Sequence, residues 1–289
     1  MDAQLAQLVV NGVAVGSIIA LSAIGLTLTF GILRLSNFAH GDFMAIGAYL
    51  TLFTNALGVN IWLAMVVGAV GTAGLMLVGE KLIWSVMRDR RANSTTLIII
   101  SIGLSFILRN GIILLWGSEN QTYRLPVMPA ITFLGLRIAY SNLVVVILAF
   151  VAMIAIHLIF QRTKIGKAMR AVADDLDLAR VSGIDVEWVV LCTWILAGVL
   201  TGVSGGLYGL VTAVRPTMGW FLILPLFAAI ILGGIGNPYG AIAGAMVIGI
   251  TQEVSTLIIP NEYKLAVAFI VMMVVLLIRP QGLFRSTLS

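Results

Sequence analysis

Runs of about 18 or more apolar residues recur from one end of this 289-residue chain to the other, each long enough to cross the hydrocarbon core of a bilayer. Backbone amides have no water to bond inside hydrocarbon, so such runs fold as helices that satisfy their own hydrogen bonds. The expected fold class is therefore all-α: a polytopic helical membrane protein of eight to ten transmembrane segments, forming one transmembrane domain over residues 1–289. The chain is 60 % hydrophobic and only 10 % charged, which excludes a soluble core. Its 30 glycines suit close helix contacts, because lipid supplies no hydrophobic drive for helix association.

Nine segments follow from hydropathy and breaker residues. The first runs from about Leu8 to Leu33. A short linker around Arg34, Ser36 and Asn37 then leads into a second, polar-interrupted segment reaching Thr54. Further spans cover about Ile61–Trp84, Thr95–Trp116 with Asn93 or Ser94 as cap, Asn142–Phe160, Val189–Val214, Trp220–Leu232, Ala241–Ile259 and Tyr263–Ile278. The glycine run GVLTGVSGGLYG in the sixth reads as a close-packing or bending face. Residues 117–140, with Pro126 and Pro129, form an extracytoplasmic loop with a small hairpin expected about Gly135. Residues Met1 to Gln7 lack a basic region, and the apolar stretch after them is too long for a signal-peptide core, so the first helix is expected to be retained.

With nine segments, an N-terminus outside and a C-terminus inside put Arg34, Lys81, Arg88, Arg90, Arg91, Arg279, Arg285 and five basic residues of the 161–188 stretch on one side. Arg124, Arg137, Arg215 and Lys264 are left on the other. That imbalance follows the positive-inside rule, and the net charge of +5 reports orientation rather than nucleic-acid binding.

Gln161 to Trp188 is the one long hydrophilic island, and its basic and acidic residues nearly balance. Ile165, Met169, Val172, Leu176 and Ala179 recur within it at helical spacing, which predicts a short amphipathic helix with a narrow apolar stripe. Gly183 supplies a left-handed stop, and Asp185 is the expected N-cap of the next span. An organised charged helix between two spans is expected to dock a soluble partner.

Two further interruptions are alike. LSNFAHGDFMAIGAYL and LGGIGNPYGAIAGAMVIG each place a polar, glycine-bearing kink before a small-residue helix, the pattern that points to broken helices, a possible internal repeat and a substrate path. Asn37, His40 and Asp42 at the first break, with Asn237 and Tyr239 at the second, are expected to line or gate that path. Arg109 and Glu253 are further intramembrane candidates, for structural pairing or for the translocation path, while His157 lies near the inner boundary, where an interfacial role is expected. On this reading Asp42→Ala abolishes uptake while leaving assembly intact. No phosphate-loop motif occurs, since TKIGKAM lacks the preceding glycine and the terminal Ser or Thr, so the chain is not expected to hydrolyse ATP. Two histidines and one cysteine give no metal-ligand set.

NGVAVGSIIALSAIGLTLTFGILRLSNFAHGDFMAIGAYL, the later KIGKAMRAVADDLDLARVSGID and AIILGGIGNPYGAIAGAMVIGI, in this order, resemble the permease family of branched-chain amino acid ABC transporters, specifically the shorter member of the usual permease pair. The resemblance covers nearly the whole chain. One departure is Asp42, where many members carry glutamate; the charge is kept. The resemblance implies that residues 161–188 are the coupling segment seated in a groove of a cytoplasmic ATPase, with Gly166, Ala168, Ala171, Ala173, Asp174, Asp175, Ala179 and Gly183 as the carried-over positions. It also implies a homologous second permease, two ATPase subunits that bind ATP and magnesium in place of this chain, and an extracytoplasmic substrate-binding protein; Arg124 and Arg137 in the outer loop are expected to form part of the landing surface of that protein. The implied location is the plasma membrane, the inner membrane in bacteria, and the implied cargo a branched-chain or other neutral amino acid. A urea or short-amide importer has closely similar permeases. An ion-driven secondary carrier, the rival from another class, would need no ATPase. A membrane enzyme finds no nucleophile and base here.

Overall fold

The computed structural model describes residues 2–125, 130–133, 136–279 and 282–284. The helices are α1 (Asp2–Leu33), α2 (His40–Ala56), α3 (Ile61–Gly79), α4 (Ser85–Asp89), α5 (Ser94–Trp116), α6 (Tyr140–Arg162), α7 (Lys164–Asp174), α8 (Leu176–Val181), α9 (Val186–Val211), α10 (Met218–Gly233), α11 (Pro238–Val254) and α12 (Lys264–Ile278). A π-helical turn, Glu80–Trp84, joins α3 to α4 without a break. Among the described residues the only paired strands are β1 (Ile131–Phe133) and β2 (Leu136–Ile138), antiparallel with Ile131 opposite Ile138. They are the arms of the expected hairpin. Gly135 itself, like Pro126, Pro129 and Arg285, lies outside the described residues.

Among the described residues, seven helical stretches are long and apolar enough to cross a membrane: Gln4–Leu33, Ile61–Asp89, Ser94–Trp116, Tyr140–Arg162, Val186–Val211, Pro238–Leu257 and Asn261–Ile278. The two remaining predicted segments, α2 and α10, are shorter, with 17 and 16 residues, and lie largely buried. The protein is thus an all-α, multi-pass membrane protein, with α1 at its centre and α5, α6 and α12 exposing most of their surface.

Local chemistry sets the boundaries. Asn60, Asn93, Thr163, Asp175, Asp185 and Asn237 each accept a backbone N–H of the helix they precede, and each such cap is worth about 1 kcal/mol. Helix contacts rest on missing side chains. A Cβ on Gly202 of α9 would lie 2.7 Å from Cα of Ala69 on α3, and one on Gly12 of α1 would lie 2.7 Å from Cα of Ile250 on α11. Thr51, Thr72, Thr193 and Thr201 return their hydroxyls to carbonyls one turn earlier, so these buried polar groups are satisfied without a partner helix.

The two ends of the bundle differ. One gathers Arg34, Arg88, Asp89 and the α7–α8 segment around a cavity of about 600 Å³. At the other, Gln7 exchanges two hydrogen bonds with the backbone of Arg137, Gln121 bridges Val214, and buried Tyr123 donates to the Ala48 carbonyl. Burial pushes the Tyr123 phenol well above its ordinary range, so it stays a donor. Arg34, Arg88 and Arg180 thus share one end of the bundle, and Arg137 lies at the other.

Candidate functional site

The charged island folds as two short helices rather than the single one expected. Thr163 caps α7 through Gly166 N–H at 3.1 Å, and α7 lays Gly166, Met169 and Val172 against the bundle. At Asp175 the helix breaks, because that carboxylate accepts Leu178 N–H at 2.9 Å and starts α8; a side chain able to bond nearby backbone competes with helix continuation. Ala179 carries the buried stripe across the break. Gly183, at φ +84°, ends α8, with the Ile184 N–H returning to the Ala179 carbonyl at 3.1 Å, and Asp185 caps α9 through Trp188 N–H at 3.0 Å. Among the positions carried over from the family, Gly166 and Ala179 are buried against this chain's own bundle, while Asp174, Asp175 and Gly183 face outward. Lys164, Lys167, Arg170, Asp177, Leu178 and Val181 complete the exposed surface.

The first break carries the chain back into the bundle. Arg34 leaves α1 at a positive φ of 51°, and six residues later His40 opens α2 with its Nε2 3.0 Å from the Ser22 carbonyl. Ser22 precedes the end of α1 by eleven residues, about 16 Å along the axis, so α2 begins at depth. Asn37 shapes this entry by accepting Ala39 N–H on its side chain and His40 N–H on its carbonyl. His40 Nε2 also lies 3.0 Å from the Thr201 hydroxyl, tying α1, α2 and α9 together. Two residues on, Asp42 is 1 % exposed and meets the Arg109 guanidinium through two contacts of 3.2 Å. Ser105 also donates to Asp42 and accepts from Arg109. The Trp220 ring covers the guanidinium at 4.8 Å, a cation–π contact. Three buried polar atoms beside this entry, Ser22 Oγ, Asn37 Nδ2 and His40 Nδ1, have no hydrogen-bond partner among the described residues.

The second break is a tight turn. α10 ends at Gly233, Gly234 and Gly236 take φ of 104° and 84°, and Asn237 caps α11 through the N–H groups of Tyr239 and Gly240. Thr27 of α1 accepts Gly236 N–H, and Leu283 and Phe284 donate to the last carbonyls of α10. Tyr239 is bound to His157 and Gln161 of α6. Glu253 stands apart from both breaks: it pairs with Lys264 at 2.7 Å across the α11–α12 connection. It lies fourteen residues along α11 from Tyr239, about 21 Å.

The singled-out residues therefore fall into an Asn37–His40–Asp42–Arg109 group, an Asn237–Tyr239 group with His157, and the separate Glu253. Sequence reasoning missed Ser22, Ser105 and Thr201. It also missed the buried Glu80 of the π-helical turn, which pairs with Arg88 of α4. The four-residue spacing of Ser101, Ser105 and Arg109 was the available signal for the polar stripe of α5. Among the described residues no group of three or more His, Cys, Asp or Glu could hold a metal ion.

A bundle of membrane-length helices, interrupted by two polar breaks and carrying a charged helical pair at one end, is the architecture of a multi-pass membrane permease. The chain belongs to the family described as branched-chain amino acid transport system / permease component, whose pattern matches residues 8–276. It is 32 % identical to the high-affinity branched-chain amino acid transport system permease protein LivH of Escherichia coli, over 94 % of this chain and 93 % of that one. It is 30 % identical to the corresponding BraD protein of Pseudomonas aeruginosa, over 96 % and 94 %. Among solved structures, a chain of PsaBC from Streptococcus pneumoniae in complex with Fab shares the fold, with a TM-score of 0.54 at 15 % identity over 96 % of this chain and 92 % of that one. The family consists of permease components of ABC transporters, not enzymes.

Proposed function

We infer that this chain is the transmembrane permease subunit of an ATP-driven importer for branched-chain or other neutral amino acids. In this reading α7–α8 docks separate ATPase subunits on the cytoplasmic side, and the N-terminus lies outside. A homologous second permease and an extracytoplasmic binding protein complete the assembly, the latter landing on the loop that carries Arg124 and Arg137. ATP and magnesium are bound by the ATPases. The observation that carries the reading is the α7–α8 segment: its apolar stripe and caps fix it to the bundle, while its outer face is left charged and open.

Asn37 and His40 are the residues assigned to the path. Their unpartnered nitrogens, with Ser22 Oγ, lie at depth, where unsatisfied polar groups are tolerated mainly beside water or cargo. Asp42 acts on the path through its ion pair. With its charge cancelled by Arg109, the entry to α2 presents polar groups without net charge, which suits a cargo that is itself neutral overall. Asn237 and Tyr239 shape the second break.

The test is reconstitution of the chain in liposomes with the ATPases, second permease and binding protein encoded alongside it. ATP-dependent uptake of leucine, isoleucine, valine or another neutral amino acid is expected. Uptake of urea alone, or ion-driven uptake by this chain without ATPases, would contradict the reading.

A further inference from the structure

Four side chains join the docking segment to the second break. Arg170 Nη1 of α7 donates to Gln161 Oε1 at 3.1 Å, Gln161 Nε2 donates to Tyr239 Oη at 3.2 Å, and Tyr239 Oη lies 2.8 Å from His157 Nδ1. His157 and Gln161 are one turn apart on α6, so they face the same side. Tyr239 is the second residue of α11, directly after the turn from α10. The Tyr239 hydroxyl accepts from Gln161 and shares one hydrogen with His157 Nδ1, the donor of that contact being set by the His157 tautomer. The Tyr239 ring also meets the His157 ring edge-on, with centroids 5.7 Å apart.

The backbone supports the same attachment. A Cβ on Gly166 would lie 2.6 Å from Cα of Phe160, so α7 sits directly on the end of α6. The other flank of the docking segment is different. There a cavity of about 600 Å³ stands between Asp174, Asp177 and Arg180 on one wall and Arg34, Ser85 and Arg88 on the other. Arg170 bonds the segment to α6, and Gln161 of α6 passes the connection to α11; α7 also packs on α1 and α9, while the cavity separates the segment from α4.

We propose that Tyr239 is a positioning residue that carries displacement of the docking segment into the α10–α11 break, with Gln161 and Arg170 as its links. Motion of α7 then reaches α11 through α6, and the open flank leaves α4 free to stay in place. This rests on the importer reading above.

The experiment is leucine transported per ATP hydrolysed by the complete complex in proteoliposomes. Tyr239→Phe keeps the ring and its packing and removes only the hydroxyl. It is expected to retain the ATPase subunits and to lower transport per ATP roughly fivefold, the factor that one ordinary hydrogen bond is worth. Arg170→Gln is expected to act in the same direction. The double variant is expected to fall no lower than the worse single variant, since both cut one chain. Gln161→Met cuts the middle link and replaces Tyr239→Phe as the readout should that variant fail to assemble. Transport per ATP equal to wild type in Tyr239→Phe, or losses that multiply in the double variant, would overturn the inference alone. A wild-type complex that hydrolyses ATP without importing would overturn the importer reading, and this inference with it.

Discussion

At the scale of single residues, the strongest constraint is the Asp42–Arg109 pair, because Asp42 is buried and the Arg109 side chain keeps only 13 % of its surface exposed. Removing one partner leaves the other buried and uncompensated, which costs about 3–5 kcal/mol. Asp42→Ala is therefore expected to lower the amount of folded protein in membranes and its melting temperature in detergent, rather than to silence a well-assembled transporter. Asp42→Ala combined with Arg109→Leu removes both charges and is expected to recover most of that loss; a single variant as stable as wild type would contradict the pairing. The sequence marked both residues as anomalous in apolar surroundings, but their partnership spans 67 positions and depends on how α2 crosses α5. Pairing is a tertiary property, and one chain read alone carries no record of it. The same holds for Glu253, whose partner Lys264 lies only eleven residues on but across a turn whose geometry sets the contact.

At the scale of elements, the spans were legible to within a few residues because a membrane helix carries its own signal: length, hydropathy and a cap. The charged island was less so. Its apolar stripe continues through Leu176 and Ala179, which hides the break, and only the capping bond of Asp175 ends α7 there. Glycines divide by what faces them. Gly202→Val pushes a side chain into the backbone of α3 and is expected to destabilise by about 1–3 kcal/mol. Gly103→Ala, with nothing within 4 Å of the new Cβ, is expected to be neutral or slightly stabilising, and thermal unfolding of the two variants side by side checks the contrast. Gly183→Ala strains a left-handed position at φ +84° by about 1–2 kcal/mol. Faster proteolysis between α8 and α9 is the expected sign, and an unchanged cleavage rate would count against it.

At the scale of the whole molecule, the account is of a bundle organised around α1, with a charged docking pair at one end and a hairpin loop at the other. Sidedness has its own test. In a Cys192→Ser background, Glu119→Cys is expected to react with an impermeant maleimide in intact cells, and Ala92→Cys only after permeabilisation; the reverse pattern would invert the proposed orientation. The broad architecture was readable because hydropathy and charge bias act over the full chain length. The depth at which α2 begins was not, since it depends on residues 34–39 turning back along α1, a packing outcome. The central claim, that the α7–α8 surface couples this chain to ATPases, is tested most directly by purifying the chain from its native membrane in mild detergent and identifying what accompanies it, for wild type and for Gly183→Arg. The account predicts that an ATPase and a second permease accompany the wild type and that the variant keeps the permease but loses the ATPase. A wild-type chain that purifies alone and transports in liposomes without ATP would contradict it.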